Sequence, residues 1–236
     1  MAQGEDPFLP NSPLDHAELE RRILFEREGV IVVDKPWGLP SSGRSLEDPD
    51  SLQFALMQRH GEMVWAVHQL DADTSGINIF VRKKPLVPQW QKRMLFPNGR
   101  KTYLAMVHGR VEFDARRIEE PIGVVSEQPT RQLGLRTDGQ RAVTVVQVLS
   151  RGDDSSLLRV NIETGRTHQI RIHLSALGHP LLGEDWYRAP KSTTHVRQAL
   201  HAWRMEFADG GAPAGFHCPL AADLKALACA RDLALP

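Results

Sequence analysis

The sequence predicts an α+β fold: a mainly antiparallel sheet with flanking helices. Strand-like runs recur along the whole chain. They lie at Val30–Val33, Ile77–Val81, Lys101–Val107, Ala142–Leu149, Leu157–Ile162 and Leu200–Phe207. Helical patterns are few, and most connections are short.

In chain order, residues 1–22 read as a flexible tail ending in the charged segment Glu18–Arg22, and residues 23–236 as one domain. Val30–Val33 is β-branched and stops at Asp34-Lys35-Pro36, which marks a strand followed by a turn. Ser51 is placed to cap a short helix, with Leu52, Ala55 and Leu56 on one face. Met63–Val67 and Ile77–Val81 flank a polar loop, and the alternation in the second run suits a half-buried strand. Gln89–Phe96 reads as a helix stopped by Pro97-Asn98-Gly99. In the strand at Lys101–Val107, residues Lys101, Tyr103, Ala105 and Val107 share one face. Gly123–Gly139 is polar and glycine-containing, a long loop or ribbon. Thr167 is placed to cap a helix carrying Ile170, Leu174 and Leu177, which ends at Gly178. Pro219 suits the first turn of a last helix, with Leu220, Leu224 and Leu227 on one stripe.

Composition narrows the function. The chain has 236 residues, and 29 basic residues balance 29 acidic ones, so net charge neither demands nor excludes a nucleic-acid partner. No apolar run approaches the roughly 20 residues of a membrane helix. The start is polar and lacks the features of a secretory signal. Cys218 and Cys229 are too few for a disulfide framework, which points to buried free thiols in a reducing, cytoplasmic setting.

Two stretches carry chemistry. In the first, His68-Gln69-Leu70-Asp71-Ala72-Asp73-Thr74-Ser75-Gly76, the loop between two strands can present the Asp71 carboxylate at a fixed place. The same residue types also make an ordinary turn. In the second, Thr164-Gly165-Arg166-Thr167-His168-Gln169-Ile170-Arg171-Ile172-His173-Leu174, a glycine turn meets a helix start, a natural place for an anion. His168 and His173 are five apart, not the four that puts two metal ligands on one helix face, so no metal site is expected.

These stretches, with Lys101-Thr102-Tyr103 between them and Leu200-His201-Ala202 after them, resemble in order the motifs of RluA-type pseudouridine synthases. Val32–Leu39 is similar to that family's opening motif. The resemblance spans roughly residues 27–207 and shows no separate RNA-binding module of the S4 type. It implies the pseudouridine synthase catalytic fold and isomerisation of uridine in tRNA or rRNA, without cofactor or metal. A monomer with no obligatory protein partner is expected. The resemblance assigns Asp71 as the essential aspartate and Tyr103 as the stacking tyrosine. It assigns Arg166 as the arginine that pairs with the aspartate. Gln69, Lys101, Ile170 and Arg171 complete the set as RNA-binding residues. The family usually has arginine where this chain has Gln69, which keeps a donor and an acceptor but loses charge and reach. A catalytically weakened RNA-binding protein on the same fold is the alternative.

Overall fold

The computed structural model describes residues 14–127, 132–187 and 195–236. It opens with α1 (His16–Arg22), β1 (Ile23–Arg27), β2 (Val30–Lys35) and α2 (Leu52–His60). Next come β3 (Trp65–Ala66), β4 (Ser75–Val81), α3 (Leu86–Met94) and β5 (Gly99–His108). Then follow β6 (Ala115–Ile118), β7 (Ile122–Ser126), β8 (Gln132–Leu135), β9 (Thr144–Arg151) and β10 (Ser155–Ile162). The chain closes with α4 (Gln169–Ala176), β11 (Leu200–Phe207), β12 (Gly215–His217) and α5 (Ala222–Ala230). The strands form one large sheet in the order β1-β2-β4-β11-β5-β10-β9-β6, with β12 on β11 and β3 on β4, while β7 and β8 make a separate ribbon. Only the β4–β11 pair is parallel among these; the fold is the expected α+β with a mainly antiparallel sheet.

Both faces of the centre are covered, and alternation within strands sorts side chains between them. On β5, Tyr103, Ala105 and Val107 enter the core that also takes Ile170 and Leu174 of α4 and Trp90 of α3. Leu104 and Met106 enter a second core with Leu224 and Leu227 of α5. A third core joins Ile31, Val33 and Phe80 to Leu19 of α1 and to Leu52 and Leu56 of α2. That third core corrects two expectations. Strand β4 is buried at all seven positions instead of half-buried. The reason is that α1 and α2 cover the face that would have met water. The tail expected to run to residue 22 is helical from His16, capped by Asp15 and anchored by buried Leu19. Residues 1–13 of that tail lie outside the described residues.

Local signals explain most helix ends. The Ser51 hydroxyl accepts from Phe54 N–H at 3.2 Å, and α2 ends at Gly61 in the left-handed region. Helix α3 begins three residues before its expected start and stops at Met94. Thr167 does not cap α4. His168 occupies the cap position with φ 55° and makes no side-chain cap bond. The Gln169 amide oxygen serves the preceding turn instead, accepting from Arg166 N–H at 3.1 Å and Thr164 Oγ1 at 2.7 Å. Pro219 precedes α5 and lies outside its first turn. Cys218 is buried as expected, but Cys229 is exposed.

One glycine bears directly on the loop before β4. Gly76 has φ 104° and lies against β11, where an added Cβ would stand 2.3 Å from the Ala202 carbonyl oxygen. Both the backbone conformation and the parallel β4–β11 contact require glycine there. Gly76→Ala is expected to destabilise the protein by at least about 2 kcal/mol, read as a lowered midpoint in urea unfolding.

Candidate active site

Asp71 sits in the loop between β3 and β4, and three side chains from distant elements hold its backbone. Ser41 Oγ accepts from Leu70 N–H at 2.9 Å. Lys35, fully buried at the end of β2, donates from Nζ to the Ala72 carbonyl at 2.7 Å and to the carbonyls of Pro36 and Leu39 at 2.9 and 2.6 Å. Arg197 donates from Nη1 to the Asp73 carbonyl at 2.9 Å and from Nη2 to Ser75 Oγ at 3.1 Å. It is itself held by both oxygens of Asp223, at 2.7 and 3.0 Å. Within the loop, Thr74 N–H closes a turn on the Asp71 carbonyl at 3.0 Å. Burial, helped by the charge of Arg197, brings the Lys35 ammonium down to about 7 against the pull of Asp73 and Asp71.

The carboxylate of Asp71 meets Arg171. Arg171 Nη1 donates to Asp71 Oδ2 at 3.2 Å. The rest of the guanidinium is gripped by buried Glu184, through Nε at 2.9 Å and Nη2 at 2.8 Å. With its amide oxygen toward the guanidinium, Gln198 accepts two further bonds, at 3.0 and 3.1 Å. Burial pushes Arg171 down, but the hydrogen bonds and charge of Glu184 and Asp71 outweigh it, and the net shift is upward. Glu184 is likewise opposed by burial, yet Arg171 and the N–H groups of Trp186 and Tyr187 hold it below the usual carboxylate range.

This arrangement corrects one assignment. Arg166 does not pair with Asp71. Its side chain is exposed and donates from Nε to the Arg141 carbonyl at 3.0 Å. The left-handed residue His168 separates the two arginines, so Arg166 stays on the turn while Arg171, in the first turn of α4, points inward. Five residues of sequence separation did not distinguish them.

The other expected residues share a cleft of about 650 Å³. Asp71, Tyr103, Lys101, Gln69, Ile170, Arg166 and Arg171 all line it. Tyr103 is buried on β5, and burial together with the Asp71 charge pushes its hydroxyl well above the ordinary value, so it stays protonated. Ile170 is buried and forms an apolar part of the wall. Burial lowers the Lys101 ammonium. Gln69 is exposed, and its Oε1 accepts from Ser42 Oγ at 3.2 Å.

Several contributors had no sequence assignment. Lys35, Glu184 and Arg197 are buried ionisable side chains that act on this site. His168 places Nε2 3.9 Å from Asp71 Oδ2 and shares a hydrogen bond of 2.7 Å between Nδ1 and the Tyr187 hydroxyl. His201 bonds Ser75 Oγ through Nδ1 at 2.9 Å, and burial takes its imidazole down to about 4, so it is neutral at pH 7. Among the described residues, no three His, Cys, Asp or Glu side chains are grouped to hold a metal ion.

The chain belongs to the RNA pseudouridylate synthase family, whose model matches residues 29–176. It is 34% identical over 194 residues to the dual-specificity RNA pseudouridine synthase RluA of Vibrio vulnificus, covering 78% of this chain and 76% of that one. The Yersinia pestis protein of the same name is 33% identical and covered over 97% of its length, against 83% of this chain. The ribosomal large subunit pseudouridine synthase D of Nitrosomonas europaea is 34% identical over 87% of this chain and 64% of its own length. Among solved structures, human RNA pseudouridylate synthase domain containing 4 superposes with a TM-score of 0.75 at 23% identity, covering 93% of this chain and 96% of that one, and shares the fold. The chain is therefore an isomerase that acts on RNA.

The two arginines separate cleanly in a stability test. Arg171→Met leaves buried Glu184 without its partner and is expected to lower stability by about 3–5 kcal/mol. Arg166→Ala, at an exposed turn, is expected to stay within about 0.5 kcal/mol of wild type. Urea unfolding of both variants reads the difference.

Proposed function

We propose that the chain converts a uridine of tRNA or ribosomal RNA to pseudouridine with Asp71 as the essential carboxylate and Arg171 as the group that orients it. The observation that carries this reading is the Arg171–Asp71 contact at 3.2 Å, opening on the cleft that Tyr103 also lines. The reaction breaks the N1–C1′ bond, turns the uracil over, joins C5 to C1′, removes the C5 proton and leaves N1 protonated. Asp71 is placed to act as nucleophile or as base. The Tyr103 ring offers a face for the detached base, and its protonated hydroxyl offers a hydrogen bond. A uridine paired in a duplex cannot present its base to such a cleft unless it is extruded, so a looped or flipped substrate fits. Gln69, at the rim, is suited to a base edge or to the space the uridine leaves, and Lys101 to a phosphate. Arg166, freed from the aspartate, suits the same electrostatic role.

The name of one relative supports a ribosomal target, and the family resemblance supports either RNA. No described helix is long and apolar enough to cross a membrane. Residues 23–236, with α1 packed into the same core, act as one catalytic domain, as a monomer in the cytoplasm without an obligatory protein partner. The weakened RNA-binding alternative rests on Gln69 alone, and no observation of the site favours it.

Asp71→Asn keeps the shape of the loop while removing charge and nucleophilicity. The variant is expected to melt within about 1–2 kcal/mol of wild type and to yield no pseudouridine. Tritium release from RNA labelled at uridine C5, beside a melting curve, checks both. Substantial release by the variant would move the chemistry to another residue, with Asp73 the first to test.

A further inference from the structure

Trp186 is the most exposed aromatic side chain among the described residues, at 68% of its surface. Most large aromatics in this chain are packed, as Trp90 and Trp203 are. A single exposed apolar side chain is ordinary by itself. Its position is what makes it informative. The His168 ring meets it edge-on, with centroids 5.2 Å apart, and the Arg171 guanidinium carbon lies over it at 5.3 Å. Both of those residues face Asp71, at 3.9 and 3.2 Å. The backbone beneath is pinned as well, since Trp186 N–H donates to Glu184 Oε1 at 3.0 Å. The indole is therefore backed by the catalytic centre on one side and open to solvent elsewhere.

We propose that Trp186 is the stacking platform for the base of a nucleotide next to the target uridine, a contact separate from the pocket that takes the uridine itself. The inference rests on the RNA reading of the site. Arg171 and His168 each meet both Asp71 and Trp186, and Trp186 does not line the cleft, whereas Tyr103 does. The target base belongs with Asp71 and Tyr103, which leaves Trp186 for a neighbour on the strand. An indole face accepts any base without reading its identity, which suits a strand that must be splayed to expose one uridine.

The test compares Trp186→Ala, Trp186→Leu, Trp186→Phe and Trp186→Tyr with wild type. The substrate is total RNA from cells lacking the gene, labelled with tritium at uridine C5, over a range of concentrations. Loss of one stacked base is expected to raise the apparent KM about 5- to 150-fold in the Ala and Leu variants, with the loss falling on KM and not on kcat. Phe and Tyr are expected to stay within about threefold of wild type. Leucine restores apolar bulk but offers no ring, so Leu behaving like Phe overturns the proposal. So do four variants with unchanged KM, or a fall confined to kcat. If wild type releases no tritium, the catalytic reading fails separately. Quenching of tryptophan fluorescence by the same RNA then decides the stacking: a quench that is lost in Trp186→Phe supports it, and an equal quench in both overturns it.

Discussion

The site depends on a guanidinium that cannot move. Arg171 and Glu184 are both buried, and they meet through two parallel hydrogen bonds. Burying such a pair gives little net stability, because the desolvation of both ions offsets their attraction. What it does give is direction. With Nε and Nη2 engaged by Glu184, Nη1 is the nitrogen left to reach Asp71. A freely rotating arginine would spread over many rotamers and lose the angle at which it meets the carboxylate.

The other half of the geometry is the loop that carries Asp71. A turn of Asp, Thr, Ser and Gly is soft by itself. Here it is tied just after Asp71 by buried Lys35 and Arg197, which donate to the consecutive carbonyls of Ala72 and Asp73, and just before it by Ser41, which accepts from Leu70 N–H. The N–H donors of Lys35 and Arg197 are satisfied by oxygen atoms of the backbone and by Asp223, so the low dielectric around them strengthens each bond. Downstream, Gly76 lets β4 run close and parallel to β11, which brings His201 against Ser75. The fold thus places the loop by long-range contacts at both ends, and the turn that Thr74 N–H closes on the Asp71 carbonyl is its local part.

That division explains what could be read from sequence. Strand alternation in Lys101–Val107 and the Ser51 cap depend on neighbours in the chain, and both appear in the structure as read. The burial of β4 depends on α1, whose seven residues carry one buried leucine and therefore little helical signal. The roles of Lys35 and Arg197 depend on contacts across 37 and 124 residues, beyond any local pattern. Asp71 and Tyr103 were named through resemblance, and both line the cleft. The choice of Arg166 over Arg171 failed for a local reason. The resemblance assigned Arg166, which stands on the turn before left-handed His168, whereas Arg171 lies in the first turn of α4 and faces Asp71.

The most direct measurement is the single-turnover rate of pseudouridine formation in Glu184→Gln. Glu184 does not itself line the cleft, it holds two nitrogens of Arg171, and glutamine keeps its shape. If orientation of Arg171 by Glu184 sets the Asp71 geometry, the rate falls at least about tenfold in a variant whose circular dichroism spectrum remains native. A folded variant that reacts within about twofold of wild type would contradict it.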